Sequence, residues 1–259
     1  MTPRHLDVPD PVLAAAARRG WRVEAVEGRA GELHHLDVSA ERLVRVHHLA
    51  GPALVLGSTQ PAAIARGEIA QRLGVEVARR RSGGGAVWLA PGEQVWVDVV
   101  VPAGDPLWHD DVGLAGHWLG AAWAALLPGA GVWRGAMVDR GLGRVACFAG
   151  MGPGEVSVAG RKVVGMSQRR TRTHARFQCV AYLRWDPAPL LGLLDLGASG
   201  PTPDPTAGMS AGSTAAGLGG RVAAALVDRV APLPAFPGEG VAAAPAVWGV
   251  VGRLVDLLP

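Results

Sequence analysis

Asparagine is missing from this 259-residue chain, and lysine occurs once, at Lys162, beside 24 arginines. Alanine, glycine, valine and arginine abound, which points to a drift that turned tolerant lysines into arginines. The two cations are not interchangeable: arginine is a rigid planar fork, lysine a compact point charge on a flexible stem. Lys162 is therefore the first candidate for a position that requires an ammonium. Cysteine is scarce too, and Cys147 and Cys179 are too few for a disulfide scaffold and fit no zinc spacing. No uninterrupted apolar run approaches the ~18–20 residues of a membrane span. The opening stretch MTPRHLDVPDPVL carries acids and prolines without an apolar run, which predicts no signal peptide. Together these absences predict a cytoplasmic protein with no membrane attachment.

What is present suffices for a substantial core. Hydrophobic residues make up 49% and tryptophans number 9, which excludes wholesale disorder. The formal charge is only +3, yet the clustered arginines make the surface locally basic, which suits an anionic ligand or an acidic partner. DPVLAAAARRG predicts a helix with Asp10 as N-cap, Pro11 at the first helical position and Gly20 at its end. Leu54–Leu56 reads as a buried strand stopped by Gly57. Pro61 opens a helix through PAAIARGEIAQRLG, and VEVARR follows as a strand. QVWVDVVVP alternates around Val95, Val97 and Val99, as a sheet strand does. A long helix is expected from Asp110 to Leu127. Strands are then expected in GVWRGAMV, RVACFAG, GEVSVAG, RKVVGMSQ and RFQCVAYLRW, with a hairpin turning at Ala159–Gly160. Residues 196–220, rich in Gly, Pro, Ser and Thr, read as a loop or linker after a main domain of residues 1–195. Residues 221–259 read as a short helical appendage. Hairpins mixed with helical connections predict a mixed α/β sheet rather than a doubly wound parallel one.

Two stretches carry chemistry. In RRRSGGGAVW, Arg79, Arg80 and Arg81 precede Ser82 and the triplet Gly83, Gly84, Gly85. Three glycines let a backbone approach a ligand closely, and their N–H groups can cradle an anion. The pattern is neither a P-loop nor a dinucleotide fingerprint. In GRKVVGMSQRR, Lys162 follows the expected turn, and Gly165 interrupts the strand where a small residue could admit a ligand. An ammonium against an acyl-phosphate would neutralise developing charge on oxygen. Cys147, in ACFAG, is either a buried small hydrophobe or a thioester-forming nucleophile. Cys179 reads as packing. The histidines form no metal-ligand spacing, so no protein-bound metal is expected. Few aromatics interleave the arginines, which argues against nucleic acid.

Together, in this order and spacing, the two stretches resemble the lipoate–protein ligase, octanoyltransferase and biotin–protein ligase catalytic-domain family. The resemblance spans about residues 40–195, with LVLGSTQ similar to the family's early strand and Gly-x-x-Gln turn. It implies an α+β fold with a largely antiparallel central sheet and a ligase-like catalytic domain over residues 1–195. It implies acyl transfer to a lysine of a lipoyl carrier domain, in dehydrogenase complexes or a glycine cleavage protein. The donor route implied first is an acyl-adenylate made from lipoate or octanoate with ATP and Mg. By motif position Lys162 would hold acyl and phosphate oxygens, while Arg80, Ser82, Gly83, Gly84, Gly85, Ala86, Gly165, Ser167 and Gln178 would contact substrate or nucleotide. CFAG is also similar to the segment in which one octanoyltransferase branch places its nucleophile, so Cys147 would form a thioester in an ATP-independent route from acyl carrier protein. The chain departs from the family twice. Leu89-Ala90 stands where His-Asp is usual, and Gln178-Cys179-Val180 where Gln-His-Gly is frequent. These losses favour a third reading, a non-catalytic binder of lipoyl or biotinyl groups. Biotin ligation itself is disfavoured, because its lysine–tryptophan–proline–asparagine segment requires an asparagine.

Overall fold

The computed structural model describes residues 3–197, 215–234 and 243–259. Its strands are β1 (Arg4–Leu6), β2 (Arg22–Gly28), β3 (Leu43–Leu49), β4 (Ala53–Leu56), β5 (Glu76–Arg79), β6 (Val87–Leu89), β7 (Gln94–Pro102), β8 (Ala130–Val132), β9 (Val156–Val158), β10 (Arg161–Arg170) and β11 (His174–Tyr182). Its helices are α1 (Asp10–Arg18), α2 (Ala30–His35), α3 (Gly67–Arg72), α4 (His117–Ala125), α5 (Arg140–Val145), α6 (Ala188–Leu193), α7 (Ala215–Asp228) and α8 (Ala243–Leu257). Eight strands form one sheet in the order β1-β2-β3-β7-β11-β10-β9-β8, and three form a second, β5-β4-β6. Among the described residues only the β2–β3 and β4–β5 pairs run parallel. The expected mixed, largely antiparallel α/β sheet is the one the chain builds.

Strand β7 lies at the centre of the large sheet and is buried on both faces, which is why its sequence is almost wholly apolar. Val95, Val97 and Val99 point to one side, into a core shared with Val12 of α1, Trp123 of α4 and Val250 and Leu254 of α8. Trp96 points to the other side, toward Leu33 of α2 and Val55, Val87 and Leu89 of the small sheet. Each such side chain contributes about 1.5–3 kcal/mol by leaving water. One charged residue interrupts this strand: Asp98, fully buried on the Trp96 side. The functional groups described below lie between the two sheets.

Several elements differ from the sequence expectation, each for a local reason. Pro9, not Asp10, occupies the N-cap of α1, and Gly20 follows the helix end with a φ of 71°. The helix expected from Pro61 breaks. Ala65 bridges to Leu194 and the Arg66 N–H bonds Leu193, so a short 3-10 turn precedes α3. The long helix from Asp110 begins only at His117, because Asp111 uses its carboxylate on the Gly113 N–H at 2.7 Å in a local turn. RVACFAG is not a strand but the end of α5 and a 3-10 turn over Cys147–Ala149, with Ala146 making a single bridge to Ala86. Residues 198–214 of the expected linker lie outside the described residues, and α7 already begins at Ala215. Helices α7 and α8 both pack into buried clusters: Val222, Ala225 and Leu226 join Leu54, Leu56 and Trp88 on the face of the small sheet turned away from Trp96, and α8 joins the helix-side core of the large sheet. Beyond α7 the chain also bonds both backbone groups of Lys162, through Arg229 O and the Ala231 N–H.

Candidate active site

Lys162 owes its direction to an irregularity. Strands β9 and β10 form the expected hairpin, whose Ala159 and Gly160 both have positive φ (49° and 77°), as a type I′ turn demands. In a regular strand Lys162 and Gly165, three residues apart, would face opposite sides. Instead Lys162 pairs with Ser157 and Val164 with Val156, leaving Val163 as an extra residue. This bulge sends both Val163 and Val164 into the helix-side core and turns Lys162 to the side of Gly165. A Cβ on Gly165 would stand 3.3 Å from Lys162 Cε and 2.8 Å from the Phe148 ring, so glycine is required there.

The Lys162 ammonium is enclosed, with a side chain 2% exposed. Nζ pairs with Glu155 Oε2 at 2.7 Å and donates to the carbonyl oxygens of Cys147 and Gly150, each at 3.1 Å. It also lies over the Phe148 ring, 4.8 Å from the centroid. Glu155 is equally buried and accepts from the Gly152 and Met166 N–H groups at 2.6 and 3.0 Å. The lysine thereby fixes the turn that carries Cys147.

The glycine-rich loop is held as tightly. A Cβ on Gly57 would fall 1.9 Å from Gly84 O, and one on Gly85 2.5 Å from Gly143 O, so both glycines permit backbone-to-backbone contact. Gln60 accepts the Gly57 N–H at 2.9 Å and donates to Arg144 O and Val145 O at 2.9 and 3.1 Å, tying the LVLGSTQ turn to α5. Arg79 donates to Gly57 O and Gln60 O, and Arg80 to Gly83 O and Gly85 O. These two guanidinium groups therefore staple the loop, whereas Arg81 stays exposed.

Between the sheets lies a narrow cavity of about 30 Å³. The small sheet supplies Val55, Val87 and Leu89, the large one Trp96, Val180 and Gly165. Leu89, where the resemblance would place a histidine, makes this wall apolar. The mouth is marked by Cys147, Met166 and Ser167, which border both this cavity and an outer pocket of about 250 Å³. Cys147 is half-buried, and Glu155 is the charged side chain that borders the outer pocket. A third pocket, about 420 Å³, is bordered by Lys162, Arg229, Asp139 and Trp133.

One edge of the cavity is polar. Ser82 Oγ lies 3.0 Å from Ser167 Oγ and donates to Gln178 Oε1 at 3.2 Å. Gln178 Nε2 reaches Asp98 Oδ1 and His34 Nδ1, each at 3.2 Å. Asp98 also receives His47 Nε2 at 2.6 Å and Arg176 Nε at 2.9 Å. Burial opposes its ionisation, but His47 and Arg176 outweigh that and hold its pKa well below the carboxylate range. Burial drives His34 and His47 the other way, below the usual imidazole value, so both are neutral near pH 7. Arg176 continues to the carbonyls of Leu33 and Leu36, joining α2 to the sheet.

Of the residues proposed from sequence, Arg80, Ser82, Gly85, Gly165, Ser167, Gln178 and Cys147 meet around the cavity and its loop, with Gly83 and Gly84 at the outer rim and Ala86 buried beneath. Lys162 is adjacent, behind Phe148. Cys179 faces the helix side, where burial pushes its thiol up and out of the reactive range. Sequence reasoning missed His34, Trp96, Glu155 and Phe148. The one available signal was Asp98, a charge inside an apolar strand. Among the described residues no three His, Cys, Asp or Glu side chains gather as metal ligands, and no helix is long and apolar enough to cross a membrane.

An apolar cavity with a few convergent polar groups at one edge is the build of a small-molecule site. The chain belongs to the lipoyl protein ligase A/B catalytic domain family, whose model matches residues 33–209. Among solved structures, it resembles lipoate-protein ligase A bound with ATP, with 16% identity and a TM-score of 0.54 over 82% of this chain and 70% of that one. It also resembles protein Ta0514 from T. acidophilum with bound lipoic acid, with 14% identity and a TM-score of 0.56 over 97% and 82%. A third likeness is to the bi-partite lipoate protein ligase studied with its E2 lipoyl domain from Thermoplasma acidophilum, at 14% and 0.56 over 90% and 81%. No curated protein matches the sequence.

Proposed function

We propose that this protein transfers a lipoyl or octanoyl group to a lysine of a lipoyl carrier domain, through a thioester on Cys147. The observation that carries this reading is the position of Cys147, where the narrow apolar cavity meets the outer pocket. The acyl chain lies between the two sheets with its carbonyl at the mouth. The Cys147 thiol attacks a donor thioester, such as that of acyl carrier protein; the new carbon–sulfur bond forms as the bond to the donor sulfur breaks, and the Cys147 proton ends on the departing donor thiol. A carrier-domain lysine amine then attacks the Cys147 thioester, the amide forms, and the thiol is regenerated. Lys162 acts as a positioning residue, because its protons rest on the Cys147 and Gly150 carbonyls and on Glu155. The likeness to a lipoate protein ligase studied with an E2 lipoyl domain supports a carrier of that kind.

A second reading rests on a separate observation. The third pocket sets Trp133 as an aromatic face beside Arg229 and Lys162, whose charges are paired with Asp139 and Glu155 and would have to be shared with a nucleotide, and a similar structure holds ATP. In that reading the lipoate carboxylate attacks the α-phosphorus of ATP and pyrophosphate leaves, the carrier lysine then displaces AMP from the acyl-adenylate, and Cys147 is a spectator. The routes separate by intact mass of an apo carrier domain. Octanoyl-acyl carrier protein without ATP should acylate it, and Cys147→Ala should abolish the reaction. Acylation only with lipoate and Mg-ATP, unaffected by Cys147→Ala, moves the assignment to the ligase. Acylation in neither leaves a binder of acyl groups.

A further inference from the structure

Two side chains on the cavity wall carry nitrogen atoms that are buried and have no hydrogen-bond partner: His34 Nε2 and Trp96 Nε1. Their residues are 5% and 1% exposed, and the rings lie against each other, tilted by 36°, with centroids 4.4 Å apart. The indole nitrogen is always a donor. The state of His34 follows from its neighbours. Asp98 is an ionised carboxylate and only accepts, so the Gln178 group facing it is the amide NH₂. Ser82 fits that orientation, since its hydroxyl can donate to Gln178 Oε1. The second N–H of that amide points at His34 Nδ1, which must accept. In a neutral imidazole the proton then resides on Nε2. Two donors therefore stand on one apolar wall without an acceptor, a costly arrangement unless something supplies one.

Their distance from the mouth is set by the sheet. Gly165 pairs with Val180, and Val180 with Trp96, so Trp96 lies two strand spacings, about 10 Å, from Gly165 beside Cys147. We infer that His34 and Trp96 are specificity-determining residues that select an acyl chain bearing a hydrogen-bond acceptor, an oxygen or a sulfur, about 10 Å from the carbonyl held at the mouth. The inference rests on the acyl-binding reading above and deepens it. A plain saturated chain fills the same space but leaves both donors unpaired.

The test uses the full chain and equilibrium binding, so it does not depend on turnover. Octanoic acid, 8-hydroxyoctanoic acid and lipoic acid are titrated against the wild type, Trp96→Phe and His34→Leu, with calorimetry as the readout. The ratio of affinities, acceptor-bearing acid over octanoic acid, should fall about ten-fold in each variant. Trp96→Phe keeps a ring in place and removes only the indole N–H, so it remains informative if His34→Leu fails to fold. Ratios unchanged by Trp96→Phe, with octanoic acid still bound, overturn the inference and leave the acyl-transfer reading standing. Binding of none of the acids by the wild type overturns both.

Discussion

Replacing Lys162 by methionine tests whether the lone lysine is a free ammonium or half of a buried pair. Its side chain and that of Glu155 are 2% and 4% exposed and meet at 2.7 Å. Removing the cation leaves a carboxylate in the interior with two backbone N–H partners and no counter-charge. Breaking one side of such a pair costs about 3–5 kcal/mol. In a chain of this size, that lowers Tm by about 6–20 °C. Much of the loss is the penalty of the orphaned charge rather than the worth of the pair. Adding Glu155→Gln to Lys162→Met should therefore restore at least half of it. Urea unfolding of the wild type, both single variants and the double variant completes the cycle. A loss below about 1 kcal/mol in Lys162→Met, or no recovery in the double variant, would refute the buried-pair account.

Three further outcomes follow from the geometry. Gly57→Ala drives a Cβ into Gly84 O and must displace the glycine-rich loop, so stability should fall by about 1–3 kcal/mol with loss of carrier acylation; Gly131→Ala, which meets nothing within 4 Å, is the control. Neutral burial of His34 and His47 depresses their folded pKa below the ordinary 6.5, so the unfolded chain binds more protons and stability falls as pH drops below about 6.5. Each histidine contributes at most about 1.4 kcal/mol per pH unit there, and thermal melts between pH 8 and 5 should show a shallower slope for His34→Leu. Cys179→Ala should leave carrier acylation intact, because the thiol faces the helix-side core; an inactive but folded Cys179→Ala protein would contradict that placement.

The sequence alone was enough for the frame. Alternation in QVWVDVVVP marked the central strand, Ala159–Gly160 marked the hairpin that presents Lys162, and the glycine triplet with GRKVVGMS carried the family resemblance. Such features are local: period, turn chemistry and order along the chain survive without knowledge of what lies opposite. What only the tertiary structure decided is which faces meet. The bulge at Val163 turns Lys162 across the strand, and no spacing rule announces an extra residue in one strand of a pair. RVACFAG looked like a strand because its residues are apolar, yet close approach of Gly85 to Gly143 makes it a helix end with Cys147 at a cavity mouth. His34 and Trp96 are 62 residues apart and share no motif. They become one wall because α2 is pinned by Arg176 to the sheet, a contact 140 residues or more distant in sequence. Side-chain polarity told the sequence reader what could be buried; only the packing of two sheets determined which buried groups were left without a partner.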